Sequence, residues 1–404
     1  MAFCDVTRLR VLELLQNGEK SATVLQEQIV IGQSTLSHHM KILVESGIVT
    51  ARKAGKWTYY SICEKGGLYA AGLLRLLTSK DKARAARNVK PNIKDQRRKN
   101  MMKPFSIVVD TSCDLPPDYL KEHGIEVIPI PFTLDDVQHN SGGWQEISGK
   151  DFYNALRNGG IAKTTQINPD AFIGSFTEYA KQGRDALFIL LSGGLSGTYQ
   201  SSMIALNEVR DSYPDCNIYP VDGMCATALN GLLAMIAVQK REEGYSAEET
   251  AALLEEKRHS IFGLFTVDDL MYLHRGGRLS KLSAIGGSLL GIKPVLNMQP
   301  DGTLALKDKV RGRTAAFKLM VNQLKQSVSS DRELDTVFIT HTDCGDDAQK
   351  LAEMVKAAVN VRRVVVILMC PVIGAHVGPG TVTLIFEASI TRSEFEANHA
   401  AGKK

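Results

Sequence analysis

The chain opens with apolar positions at helical spacing. Over residues 5–16, DVTRLRVLELLQ, the residues Val6, Leu9, Leu12 and Leu15 recur every third position, which predicts one amphipathic helix. A second short helix begins near Ser21. A third opens at Gln33, buries Ile42 and Leu43, and stops at Gly47. The period then changes. Ile48–Lys53 and Trp57–Ile62 are β-prone runs around Ala54-Gly55-Lys56, which predicts a basic hairpin. Residues 64–78 return to helical spacing with Leu68, Leu73, Leu74, Leu76 and Leu77. Helices followed by a basic hairpin make a winged helix-turn-helix.

From Phe105 the pattern is α/β. Strands are expected at Phe105–Val109, Glu126–Phe132, Ala186–Leu191, Asn217–Val221, Phe262–Val267, Pro294–Met298, Thr336–His341, Val364–Met369 and Thr381–Phe386. Helices alternate with them. Ser148-Gly149-Lys150-Asp151 starts one. Asn168-Pro169 starts another, with Phe172, Phe176 and Ala180 on its buried face. Asp222–Glu243 reads as one long apolar helix. A stretch of roughly 285 residues of this kind fits two α/β lobes better than one. The expected layout is a winged-helix domain over 1–78, a linker over 79–104, a two-lobed α/β domain over 105–391 and a polar tail over 392–404.

Composition adds less. An apolar share of 44% with 23% charged residues predicts a packed core. The net charge of +4 matters through its distribution, because residues 79–104 hold ten Lys or Arg against two Asp. That stretch reads as a solvated tether, with added phosphate contacts as the alternative. Seven cysteines without a C-x-x-C pair argue against a disulfide scaffold or zinc ribbon and for a reducing cytosol. No apolar run reaches the length of a membrane span.

The candidate chemistry centres on Ala186–Gln200, ALFILLSGGLSGTYQ. A buried strand, a glycine turn and a helix N-terminus present backbone N–H groups and a dipole to an anion. Ser192, Ser196 and Thr198 add hydroxyls. Asp110–Leu115 follows the first strand and reads either as a turn and cap or as a carboxylate site. Lys163-Thr164-Thr165-Gln166 is a hydroxyl-rich loop. His274–Ser280 sets Arg275 and Arg278 on a glycine turn, and Arg311-Gly312-Arg313 repeats the theme. Each of these reads as an anion reader or as surface salt bridging. His376 stands alone in a glycine–proline loop. There is no nucleophile–base pair, no phosphate-loop lysine and no metal spacing, so no catalytic or metal residue is assigned. An enzyme acting on a small acid is the weakest reading.

In the N-terminal part, Gln33, Ser34, Thr35, Ser37 and His38 suit base and phosphate contacts in a major groove, and Lys41 suits phosphate. Arg52, Lys53 and Lys56 would contact flanking phosphates of double-stranded DNA. Asp5-x-Thr7-Arg8-Leu9, the helix from Gln33, Ser46–Val49 and Gly55-Lys56-Trp57-x-Tyr59-Tyr60 together resemble the ArsR family of winged-helix repressors. The resemblance implies DNA binding and a homodimer that uses the last helix of this domain. Arsenic-sensing members carry a Cys-x-Cys just after Gly-Glu-Lys. Here Ser21-Ala22-Thr23 takes that place, and hydroxyls do not replace soft thiolate ligands. DNA binding without that metal response is expected.

The ordered blocks Asp110–Leu115, Lys163–Gln166, Ser192–Gln200, Arg275–Ser280, Gly291–Pro294, Arg311–Arg313 and His376–Gly380 resemble the DegV family over about residues 105–388. The resemblance implies two α/β lobes holding a long-chain fatty acid, which a separate fatty acid kinase phosphorylates. It implies no other cofactor. It places Thr164, Thr165, Ser192, Ser196, Gly197 and His376 at the carboxylate, and Arg275, Arg278 and Arg311 toward the kinase. Thr165 and Ile167 depart from the family's Thr-Ser-Gln-Pro block. The fusion reads first as a lipid-responsive transcriptional regulator. The alternative is an acyl carrier whose DNA-binding part is secondary.

Overall fold

The computed structural model describes residues 5–16, 18–29, 31–54, 57–63, 104–279 and 291–401. The expected helix over 64–78, the linker up to residue 103, and Lys56 lie outside these. The chain divides into two compact units, Met1–Gln96 and Arg97–Lys404.

In the first unit, helices Val6–Leu15, Ala22–Ile29 and Gln33–Glu45 precede strands Val49–Ala54 and Trp57–Ile62. The two strands pair antiparallel, and the short strand Lys20–Ser21 joins the far side of Trp57–Ile62. Val11, Leu15, Leu25, Leu36, Met40 and Leu43 form the core from one face of each helix. The Asp5 side chain accepts from the Arg8 amide at 3.0 Å, which caps the first helix. Ser21, in the place of a family thiol, accepts from the Val24 amide at 3.3 Å and so braces the start of the second.

The second unit holds a four-stranded sheet in the order Ile218–Asp222, Ala186–Leu190, Ser106–Asp110, Ile125–Ile128. All pairings are parallel. Its two central strands are buried at every position, as strands covered on both faces must be. Phe172, Phe176 and Tyr179 of the helix Pro169–Gln182 pack on Phe188, with the Phe176 and Phe188 rings 4.7 Å apart. The connection from Ser106–Asp110 goes to one side of the sheet and the next strand returns on the other. The crevice of such a sheet lies at the carboxyl ends of the two strands where this reversal occurs, here at Asp110 and Leu191.

A second sheet of six strands runs Leu304–Arg311, Ile292–Met298, Ile261–Thr266, Val382–Glu387, Leu334–His341, Val361–Leu368. Only the last pair is parallel. A small sheet of Val137–His139, Phe132–Leu134 and Ala162–Thr164 stands beside them.

Three expectations change. The long helix starts at Ala228 rather than Asp222, because the strand runs to Asp222 and a turn follows with Met224 and Thr227 at φ 48° and 53°. Strands at 137–139, 162–164 and 304–311 were not expected. The residues read as a polar tail instead include the helix Arg392–Ala401. Arg392 and Phe395 are buried there. The Arg392 guanidinium donates to the carbonyls of Ile261, Met224, Gln299 and Arg258 and to Cys225 Sγ. A chain end rich in polar residues docks because one cation satisfies acceptors from three segments.

Candidate ligand cavity and nucleic-acid interface

The crevice opens into a narrow, mostly apolar cavity between the two larger sheets of the second unit. Most of its wall is apolar, with Leu191, Leu195, Phe265, Met298, Met369 and Ile373 among the residues that line it. Gly263 thins the wall from the sheet side. A Cβ there would lie 2.9 Å from both Leu229 methyls.

Polar side chains gather at one part of this wall. Thr164 ends its short strand and meets His376, from the helix Pro371–Val377, at 2.8 Å between Oγ1 and Nε2. Tyr153 donates to the Met369 carbonyl at 2.7 Å and steadies the entry to that helix. Gly276 permits the approach of the next segment, since a Cβ there would stand 2.4 Å from His376 Nδ1. Burial, helped by the nearby Arg278 charge, pushes the His376 pKa down to about 4. The imidazole is therefore neutral at pH 7 and offers one N–H and one lone pair.

Arg278 is half-buried and lines the cavity wall. Its Nε donates to the Leu195 carbonyl at 3.0 Å and its Nη1 to the Gly276 carbonyl. Burial pushes its pKa below the ordinary value, yet an arginine remains charged. Ser196 Oγ is 3.0 Å from Thr198 Oγ1 and accepts from the Thr198 amide at 3.3 Å. The helix Thr198–Ser212 starts here with Gly197 as its N-cap and without an acidic residue in its first turn, so its positive dipole end is uncompensated locally. Thr164, Arg278 and His376 also line an adjoining surface cleft with Lys163, Tyr272 and Arg275. The polar group thus stands where cavity and cleft meet.

The other expected head-group residues fall outside the cavity lining. Ser192 is fully buried and donates to the Gly302 carbonyl at 2.7 Å. Thr165 is exposed, with its amide bound to the Pro131 carbonyl at 3.0 Å. Gly197 packs under Gln166, whose Oε1 would be 2.1 Å from a Cβ at that position. Arg275 is exposed and lies over the Tyr272 ring at 4.7 Å. Arg311 is exposed at the end of its edge strand and lines neither the cavity nor the cleft.

Asp110–Leu115 takes the turn-and-cap reading. Asp110 accepts from the Ser112 amide at 2.9 Å and the Leu191 amide at 2.6 Å. Asp114 accepts from the Cys370 amide at 2.8 Å and from the Thr227 hydroxyl. Burial raises the Asp114 pKa to about 6. Among the described residues no group of three or more His, Cys, Asp or Glu is placed to hold a metal. Two polar residues of the cavity lining had not been singled out, Thr227 and Thr383. The signal for Thr383 is the alternation Thr381, Thr383 inside a strand that is otherwise apolar.

In the first unit Gln33, Thr35, Ser37, His38 and Lys41 are all exposed on the third helix. Lys53 is exposed on the wing. Arg52 pairs with Glu19 at 2.6 Å and lies over the Tyr59 ring at 5.2 Å. An exposed pair of this kind is worth at most about 1 kcal/mol, so a phosphate can compete for the guanidinium. His39, next to His38, turns inward within 3.4 Å of Arg8 Nη1. No helix among the described residues is long and apolar enough to cross a membrane.

A family model described as bacterial regulatory protein, arsR family, matches residues 5–51. Another, described as uncharacterised protein, DegV family, matches residues 104–389. A DegV domain-containing protein of Clostridium perfringens is 38% identical over 285 residues, 70% of this chain and 98% of that protein. One from Streptococcus pyogenes is 36% identical over 69% of this chain and 96% of its own length. Among solved structures, a fatty-acid-binding DegV family protein from Thermus thermophilus aligns with a TM-score of 0.64 at 27% identity, covering 71% of this chain and 100% of that one. A Thermotoga maritima protein with fatty acid binding function aligns at 0.62 with 28% identity, over 71% of this chain and 100% of its own. The chain belongs to the DegV family and carries an ArsR-family helix-turn-helix segment ahead of its DegV domain.

Proposed function

We propose that the DegV domain binds one long-chain fatty acid and that the chain is a lipid-responsive transcriptional regulator acting on double-stranded DNA. The observation that carries the lipid reading is an apolar cavity whose polar residues Thr164, Ser196, Arg278 and His376 gather near its mouth. Arg278 supplies the positive charge opposite a carboxylate. Neutral His376, Thr164 and Ser196 supply directed hydrogen bonds. Ser192 is tied to the Gly302 carbonyl and the Thr165 amide to the Pro131 carbonyl, so both steady segments next to the site. About fifteen methylenes at about 0.8 kcal/mol each give roughly 12 kcal/mol of gross transfer, so the tail carries most of the affinity and the head selects acids.

The DNA reading rests on the exposed polar face of the helix Gln33–Glu45. Control by ligand requires that the acid bind two states of the chain with different affinity. A homodimer through the N-terminal domain and a cytosolic site of action belong to the same reading. Denaturing extraction and mass spectrometry of purified protein should release a stoichiometric fatty acid, and an empty extract removes the lipid reading. Operator affinity measured with and without added acid tests the control, and equal affinities remove it.

A second reading, an acyl carrier for a fatty acid kinase, is favoured by Arg275 and Lys163, which are exposed at the cleft beside the mouth. Arg275→Ala should then retain bound acid and lose its phosphorylation by such a kinase.

A further inference from the structure

Thr383 lies on the cavity wall, on the strand Val382–Glu387 at the centre of the six-stranded sheet. It sits opposite Phe265 on one neighbour and Thr340 on the other. The residue is only 4% exposed.

Other polar side chains on this wall have partners. Thr164 has His376, Ser196 has Thr198, Gln166 has Ser201, and Thr227 has Asp114 and Thr340. Arg278 has two carbonyls. The Thr383 hydroxyl finds no hydrogen-bond partner among the described residues. Nor is it sealed into the protein as the unpartnered Thr266 hydroxyl is. It faces the space a ligand would fill.

A lone hydroxyl on a dry wall is costly, and valine would fill the same volume without that cost. The hydroxyl becomes favourable once the ligand brings an oxygen to it. The position along the cavity says where on the ligand. Thr381, two residues earlier on the same strand face, donates to the Val377 carbonyl beside the His376 segment. Thr383 is one strand step further, roughly 7 Å along, and so meets the acyl chain beyond its carboxylate end.

Resting on the fatty-acid reading above, we propose that the cavity prefers acyl chains bearing a mid-chain hydroxyl, which pairs with Thr383. The rest of the chain stays in apolar surroundings from Phe265, Met298 and Leu304. A neutral hydrogen bond in such a place discriminates by about three- to tenfold.

The test compares stearic acid with 9-, 10- and 12-hydroxystearic acids, displacing a fluorescent fatty acid from the delipidated full chain. Wild type should bind at least one hydroxy acid about three- to tenfold more tightly than stearic acid. Thr383→Val should abolish that preference while keeping or improving stearic acid binding, and Thr383→Ser should retain it. Equal hydroxy-to-plain ratios in wild type and Thr383→Val overturn the proposal and leave the fatty-acid reading standing. Binding of no acid by wild type overturns both.

Discussion

At the residue scale, two buried titrating groups oppose one another. His376 has a native pKa of about 4, below its ordinary 6.5. Its contribution to stability is present above pH 6.5 and is lost as pH falls toward 4, because the unfolded chain takes up the proton first. Asp114 has a native pKa of about 6, above its ordinary 3.8. Its contribution is present below pH 3.8 and is lost as pH rises through 6. The two slopes partly cancel between pH 4 and 6. Asp114→Asn removes one of them, so urea denaturation of that variant should show stability falling more steeply on acidification from pH 6.5 to 4.5. Parallel curves for the two proteins would contradict this. Residue fates were only partly legible in the sequence. Thr164, Ser196 and His376, taken from three separate segments, line one cavity. The tie of Arg278 to the Leu195 carbonyl, 83 residues away, was not legible, because an arginine on a glycine turn carries no sign of so distant an acceptor. The bond of Ser192 to the Gly302 carbonyl was hidden for a similar reason, since that acceptor comes from a distant turn.

At the scale of elements, legibility follows burial. Ser106–Asp110 and Ala186–Leu190 are covered on both faces and read as unbroken apolar runs. Leu304–Arg311 is half exposed and carries Lys307, Asp308 and Lys309 in a row, so it lacked the apolar run that marks a strand. The strand Ile261–Thr266 places Gly263 on the cavity wall, against Leu229. Gly263→Ala should drive Leu229 toward the cavity and weaken binding of an eighteen-carbon acid more than a fourteen-carbon one. A calorimetric ratio that does not change would speak against that wall position. The helix Arg392–Ala401 acts as a clamp. Arg392→Ala leaves several buried carbonyls without donors and frees the turn of Met224 and Thr227, whose positive φ values need support. A loss of about 2–4 kcal/mol in urea unfolding is expected, and a loss below about 1 kcal/mol would show that the clamp is dispensable.

At the scale of the whole molecule, the chain joins an ArsR-family helix-turn-helix segment to a DegV domain. Its composition disclosed the join through the basic stretch between them. Domain type was legible because each unit has its own hydrophobic period, three to four residues in the first helices and long apolar runs in the parallel strands. The DNA contacts should depend on salt. Lys53→Ala should lower the slope of log K against log salt by about 0.9 if it meets one phosphate, and a fluorescence titration at several salt concentrations measures it. An unchanged slope would place Lys53 off the backbone. The Arg392 clamp has one more consequence. It lies after every group it grips, so during translation the cavity wall at Ala226 and Thr227 has no clamp until the last helix leaves the ribosome. At roughly 5–20 residues per second, the winged helix emerges tens of seconds earlier. A nascent chain thus completes its helix-turn-helix segment well before the wall of its DegV-domain cavity is clamped.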